Sequence, residues 1–147
     1  MEPFAIPSVP VSWGELLDKI TILEIKRERI DRPDALRNVE TEHRLLREAA
    51  ARVLAIEALT PLIDRLRRVN ETLWDIEDAI REQEADARFG TRFVALARSV
   101  YKTNDERAAL KRRINTLLQS ELVEEKCFSS DAEAPLPDPA LIAEPAH

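Results

Sequence analysis

Apolar residues recur along this chain at intervals of three and four, the spacing of one face of an α-helix, in four successive stretches. The first stripe is Trp13, Leu16, Leu17, Ile20, Leu23 and Ile30. Ser12 stands before it as an N-cap, with Glu15 placed to complete a capping box and Val11 and Leu16 placed for a hydrophobic staple. A helix is predicted over about 13–31. The second stripe is Leu36, Val39, Leu46, Ala50, Val53 and Leu54; Pro33 suits a first helical turn, so this helix is predicted over about 33–58. Thr60-Pro61 repeats the device, a capping threonine before a first-turn proline. The third helix, over about 61–88, carries Leu62, Leu66, Val69, Leu73, Ile76 and Ile80. Gly90 reads as a left-handed stop and Thr91 as the cap of a fourth helix over about 92–119, with Phe93, Leu96, Val100, Ile114 and Leu118. Short linkers favour antiparallel neighbours, so the pattern predicts an all-α, up-down bundle of four long helices.

Around the bundle the pattern stops. Residues 1–11, punctuated by Pro3, Pro7 and Pro10, read as an extended arm, and residues 12–128 as the bundle domain, with 120–128 ambiguous. Residues 129–147 are proline-rich and acidic, have no periodicity, and read as a disordered tail.

Composition narrows the chemistry. The chain has 147 residues, enough for one domain with one core, and 9 prolines against 2 glycines. Two glycines are too few for a β-sandwich or a phosphate-cradling glycine loop. Gly14 falls in the first turn of helix one, where the pattern gives it no role. The net charge of −6 is concentrated in the tail, which holds Asp131, Glu133, Asp138 and Glu144 and no Lys or Arg. The remaining body, at −2, gives no electrostatic case for nucleic acid or a membrane surface. One cysteine, Cys127, permits no internal disulfide and suits a reducing cytoplasm. The N-terminus lacks the basic-then-apolar start of a secretory signal.

The informative anomaly is polar residues inside the apolar stripes. Glu24 and Arg27 fall in the first stripe and His43 in the second. Asn70 and Glu77 fall in the third, with Trp74 and Arg81 along one edge. The middle of helix four carries Asn104, Arg107 and Lys111, followed by Asn115, with Tyr101 on the flank. Buried charge is costly unless paired, so Arg107 and Lys111 are expected to meet Glu24 and Glu77 near mid-height. Two readings stand. In one, the cluster is a self-satisfied layer that fixes helix register, and outward Ile22, Ile25, Leu45 and Ile56 mark a dimer or partner surface. In the other, the inward cations outnumber the carboxylates and hold a phosphate or carboxylate of a small metabolite. Arg27, Arg107 and Lys111 then supply charge, Asn104 and Tyr101 orient the ligand, and Glu24 or Glu77 acts as acid or base. Nothing in the pattern calls for a cofactor. His43 is expected as a packed histidine rather than a metal ligand, and no Ser-His-Asp or Cys-His set is present.

Glu15-x-x-Asp18 and Asp75-x-x-Asp78 resemble the paired carboxylates of all-helical nucleotide pyrophosphohydrolases, and Lys102-x-Asn104-x-x-Arg107 resembles their phosphate-contacting segment. That resemblance implies Mg²⁺ held by the four carboxylates. On the helical wheel, however, both acidic pairs and Lys102 fall outside the apolar stripes, where solvated surface charge is expected. The inward mixture of Arg, Lys, Glu and amides is also loosely similar in architecture to helical chorismate mutases.

A more extensive resemblance runs through VSWGELLDKITILEIKRERI, LWDIEDAIRE and FGTRFVALARSVYKTNDERAALKRRIN, in that order. These strings are similar to a family of small bacterial helical proteins known only as a domain of unknown function, over about residues 6–128. The resemblance implies a cytoplasmic, free-standing helical protein and carries no activity with it.

Overall fold

A computed structural model describes residues 1–120 and Glu125. It contains four helices: α1 (Trp13–Arg29), α2 (Pro33–Leu54), α3 (Thr60–Ala85) and α4 (Thr91–Leu117), with a single 3-10 turn, Glu57–Leu59, between α2 and α3. Among the described residues there is no strand, and no helix is long and apolar enough to cross a membrane. The expected tail at 129–147 lies outside the described residues.

Local chemistry accounts for most boundaries. Ser12 caps α1, its hydroxyl accepting the Glu15 amide at 3.2 Å. Pro33 opens α2 and Pro61 lies in the first turn of α3, where a missing amide hydrogen costs nothing. The second helix stops short of the expected residue 58 because the chain tightens into the 3-10 turn, which buries Leu59 in the core. Thr60 and Thr91 are not caps; each is the first helical residue, and Leu59 and Gly90 stand before them without a side-chain bond.

Gly90 is extended and is not the left-handed stop expected from the sequence. That conformation belongs to Ala87, with φ of 52°. Around it Arg88 N donates to Gln83 O at 2.8 Å and Ala87 N to Glu84 O at 3.1 Å, so the last carbonyls of α3 are satisfied from beyond its end. The end of α4 repeats this with Gln119: Ser120 N reaches Asn115 O at 2.8 Å and Gln119 N reaches Thr116 O at 3.2 Å.

Side-chain pairs give the helix directions. Gly14 and Asp18 of α1 meet Asn115 and Arg107 of α4 in reverse order, Glu24 and Arg27 face Arg47 and His43 of α2 in reverse order, and α3 runs against α4. The result is an up-down-up-down bundle in which α1 is the hub, packing on α2, α3 and α4. The core lies at the end where α1 and α3 begin: Leu17, Ile20, Ala50, Leu59, Leu66, Leu110 and Ile114 are all at most 2% exposed. Each large apolar side chain buried there contributes about 1.5–3 kcal/mol.

The helices differ in length, and that shapes the other end. At 1.5 Å per residue, the 17 residues of α1 span about 25 Å, while the 26 of α3 and 27 of α4 span about 39–40 Å. The last buried residue of α3 is Leu73 and the first of α4 is Ala108. Residues 74–107 include none that is buried. The far half of the α3–α4 pair is therefore a helical hairpin extending past the core.

Candidate functional site

The inward polar cluster exists, but its carboxylates are not the expected ones. Asp18 has no exposed surface. Its Oδ1 accepts Arg107 Nε at 2.9 Å and Asn70 Nδ2 at 2.9 Å, while its Oδ2 accepts Arg107 Nη2. Thr21 completes the group: its hydroxyl donates to the Asp18 carbonyl at 2.7 Å and accepts Asn70 Nδ2 at 2.9 Å. One turn along, the buried Lys111 ammonium donates to Glu15 Oε2 at 2.7 Å. A further turn along, Gly14 N donates to Asn115 Oδ1 at 2.7 Å. Three successive turns of α4 are thus tied to the first two turns of α1.

Glu15 and Asp18 therefore face inward and are not solvated surface charge. The reason is the hub position of α1. A wheel with one apolar stripe assigns the opposite side to water, whereas α1 is covered by three helices. The same geometry buries Ile25, expected on an outer surface, and half-buries Ile22, while Leu45 and Ile56 are exposed as expected. It also gives Gly14 its role. A Cβ there would stand 2.6 Å from the Lys111 carbonyl oxygen and 3.0 Å from Asn115 Oδ1, so only glycine lets α1 approach α4 this closely.

Asn70, Arg107, Lys111 and Asn115 occupy the inward places expected of them. Glu77 and Arg81 do not; both are exposed, because they lie on α3 beyond the last buried residue. Tyr101 is exposed and Asn104 half-buried on the facing part of α4. Trp74 is half-buried beneath Arg29, whose guanidinium carbon lies 5.7 Å from the ring centroid while Nη1 donates to Asp75 at 2.6 Å. That bond to Asp75 holds the Arg29 guanidinium above its ordinary pKa.

Glu24 sits in a second, half-buried cluster away from Arg107 and Lys111. It accepts Arg67 Nη1 at 3.0 Å and has Arg47 Nη1 and His43 Nε2 each at 3.6 Å. Arg67 also binds Glu28 and, through Nε at 3.1 Å, Glu71. Its bond to Glu28 comes first among the causes that hold the guanidinium above its ordinary pKa. The exposed Arg27 places Nη1 3.4 Å from His43 Nδ1, and Nε2 of this buried ring makes no hydrogen bond among the described residues.

The two acidic pairs of the metal reading are kept apart. Asp18 sits opposite Asn70, whereas Asp75 sits opposite Arg29, eleven residues further along α1, and Asp78 and Lys102 are exposed. Among the described residues, no group of three or more His, Cys, Asp or Glu side chains is placed to hold a metal ion. A cleft of about 330 Å³ opens on the second cluster, lined by Glu24, Arg27, Glu28, Glu40 and Arg67. An apolar groove of about 740 Å³ between the start of α3 and the end of α4 is lined by Pro61, Leu62, Ala109, Arg112, Arg113 and Leu117, among others.

Fold and cluster together define an all-α bundle whose inward charges are joined in carboxylate–cation pairs. The chain belongs to a family of unknown function, DUF6165, whose model matches residues 8–142. No curated protein and no solved structure matches it.

Proposed function

We propose that the chain is a structural, protein-interaction module, in which the inward polar cluster fixes helix register and does not hold a ligand. The observation that carries this reading is the pairing of Arg107 with Asp18 and of Lys111 with Glu15. The metabolite reading rests on a surplus of inward cations over Glu24 and Glu77. Asp18 and Glu15 supply a carboxylate to each of the two inward cations Arg107 and Lys111, and Arg27, the third cation of that reading, lies exposed against His43 and away from them. A buried ionic layer of this kind contributes little net stability but favours a single register over its alternatives. A domain with such a locked core can present a fixed outer surface, and here the α3–α4 hairpin carries exposed Phe89, Val94 and Tyr101.

Thermal unfolding in the presence of phosphorylated sugars, nucleotides and dicarboxylates tests the reading. No compound is expected to raise the midpoint in a way that Arg107→Ala removes. Such a ligand-dependent rise, lost in that variant, would return the cluster to the role of an anion site.

A further inference from the structure

We propose that the acidic C-terminal segment 136–144 docks in cis along the groove between α3 and α4, its apolar side chains on the groove floor and its carboxylates on the arginines beside it. The proposal stands apart from the interaction-module reading, because the groove and the inward cluster lie on opposite sides of α4.

The groove follows from the hub position of α1. Arg67, Asn70 and Trp74 of α3, and Arg107 and Lys111 of α4 with them, turn toward α1. Ala109 and Arg113 follow Arg107 and Lys111 by two residues, which is about half a turn round α4. Pro61, Arg65, Arg68 and Thr72 share one face of α3, away from Asn70. The far side of the α3–α4 pair thus lacks a covering helix, since α2 packs chiefly on α1. At the core end this side is apolar: Pro61, Leu62, Ala109 and Leu117 line the groove, and Leu117 is 47% exposed.

Charge selects the occupant. Arg112 and Arg113 border the apolar groove, and Arg65 and Arg68 line a smaller cleft further along the same side. The one carboxylate lining either cleft is Glu106, already 3.8 Å from Arg65. Among the described residues, the Arg68, Arg112 and Arg113 guanidiniums have no carboxylate partner. An apolar floor beside unmatched arginines suits an acidic chain with apolar side chains. Residues 129–147 are such a chain, with Leu136, Leu141 and Ile142 among Asp131, Glu133, Asp138 and Glu144 and no Lys or Arg. A segment of that composition cannot build a core of its own but can order on a surface that offers burial and opposite charge.

Connection and pattern agree. The described helix leaves the bundle at Ser120, three residues past Leu117 of the groove. At ~3.3 Å per extended residue, the stretch from Ser120 to Leu136 reaches about 50 Å, more than the groove requires. Pro135, Pro137 and Pro139 exclude a helix there and favour polyproline II. With three residues per turn, Leu136, Pro139 and Ile142 share one apolar edge. That edge covers about 19 Å, against about 21 Å from Thr103 to Leu117 on α4. The family match also runs past α4 and ends at residue 142, while it omits residues 1–7 of the N-terminal arm, whose side chains carry a single charge, Glu2.

Paramagnetic relaxation in the full chain tests this. A spin label at Ala143→Cys, with Cys127→Ser to leave one thiol, should erase the amide signals of Ala109, Arg113 and Leu117 and spare those of Leu45 and Glu48 on α2. Leu141→Glu with Ile142→Glu should restore the lost signals. Arg112→Glu with Arg113→Glu should restore them too, as should Asp138→Lys with Glu144→Lys. The two charge reversals combined should erase them again, which a folding defect cannot do. An isotope-labelled chain mixed with a spin-labelled, isotope-free one should keep its signals. Signals lost evenly over the bundle, or not at all, overturn the docking. Loss in the mixed sample gives the groove to a second copy and overturns the cis arrangement. Combined reversals that leave the signals intact overturn the charge pairing.

Discussion

Arg107 reaches across from α4 to grip Asp18 of α1 with two parallel hydrogen bonds, one to each carboxylate oxygen. The two partners are unequal: the carboxylate is fully buried and the guanidinium keeps about a quarter of its exposure. Removing Asp18 leaves a cation that can still find water. Asp18→Ala is therefore expected to cost about 3 kcal/mol, the low end for breaking a buried pair. Asp18→Leu combined with Arg107→Met should recover most of that loss, because the desolvation of both charges disappears with them. Urea unfolding of the single and double variants measures both. A double variant no more stable than the single one would mean that the pair itself, and not the stranded charge, carries the energy.

Gly14 gives a second, sharper test of the α1–α4 contact. In a solvated helix Gly→Ala stabilises by about 1 kcal/mol. Here the added methyl would meet a backbone carbonyl of α4 at 2.6 Å, and backbone cannot rotate away. Separating the helices would lengthen the Gly14–Asn115 and Glu15–Lys111 bonds together. The sign should therefore reverse, with Gly14→Ala destabilising by about 2 kcal/mol, within the range for overpacking. The check is the urea midpoint, and a rise in stability would contradict the close approach.

The helices, their order and the short connections were legible because each depends on neighbours in sequence: apolar spacing, Ser12 before α1, and prolines in the first turns of α2 and α3. Asn70, Arg107, Lys111 and Asn115 were legible for the same reason, as polar residues interrupting a stripe. Their counter-charges were not. Which side of α1 faces water depends on how many helices pack on it, and a wheel drawn for one helix cannot count its neighbours; Asp18 and Glu15 were therefore misplaced. Glu77 and Arg81 failed in the opposite way. Glu77 has an inward wheel position and Arg81 one at the edge of the stripe, but α3 continues beyond the end of α1, and such positions without a covering helix are exposed. One signal was available: α3 and α4 are predicted about nine residues longer than α1, so part of that pair has to lie uncovered.

Arg67 offers a test of the other face of α1. It joins Glu24 and Glu28 on that helix and Glu71 on its own, with about a third of its side chain exposed. Lysine keeps the charge but cannot bond three carboxylates in the directions of a planar guanidinium. Arg67→Lys is expected to lose about 1 kcal/mol, shrinking as salt is added, since the group is only partly shielded from solvent. The sign of the pH dependence follows from the raised pKa of Arg67. A cation whose folded value is raised contributes fully below its unfolded value and is lost only as pH rises through the folded one. Both lie in strong alkali, so the stability lost on Arg67→Lys should stay constant from neutral to mildly alkaline pH. A loss that ignores salt would place the effect in packing of the side-chain stem instead.

Ala87 tests the end of α3. An L-residue in the left-handed region costs about 1–2 kcal/mol, because Cβ crowds the following carbonyl. Ala87 accepts that cost at φ of 52°, and the return is two hydrogen bonds that satisfy the carbonyls of Gln83 and Glu84. Glycine would keep both bonds without the crowding, and the exposed methyl has little packing to lose. Against this, glycine loosens the unfolded chain by about 0.4–1 kcal/mol. The balance favours the folded state, so Ala87→Gly is expected to stabilise by about 0.5 kcal/mol, read as a higher urea midpoint at unchanged slope. The same substitution at Ala79, on the same helix but with helical backbone, should destabilise by about 1 kcal/mol. Opposite signs at the two alanines would tie the effect to backbone conformation; a loss at both would show that α3 does not end in a left-handed cap at Ala87.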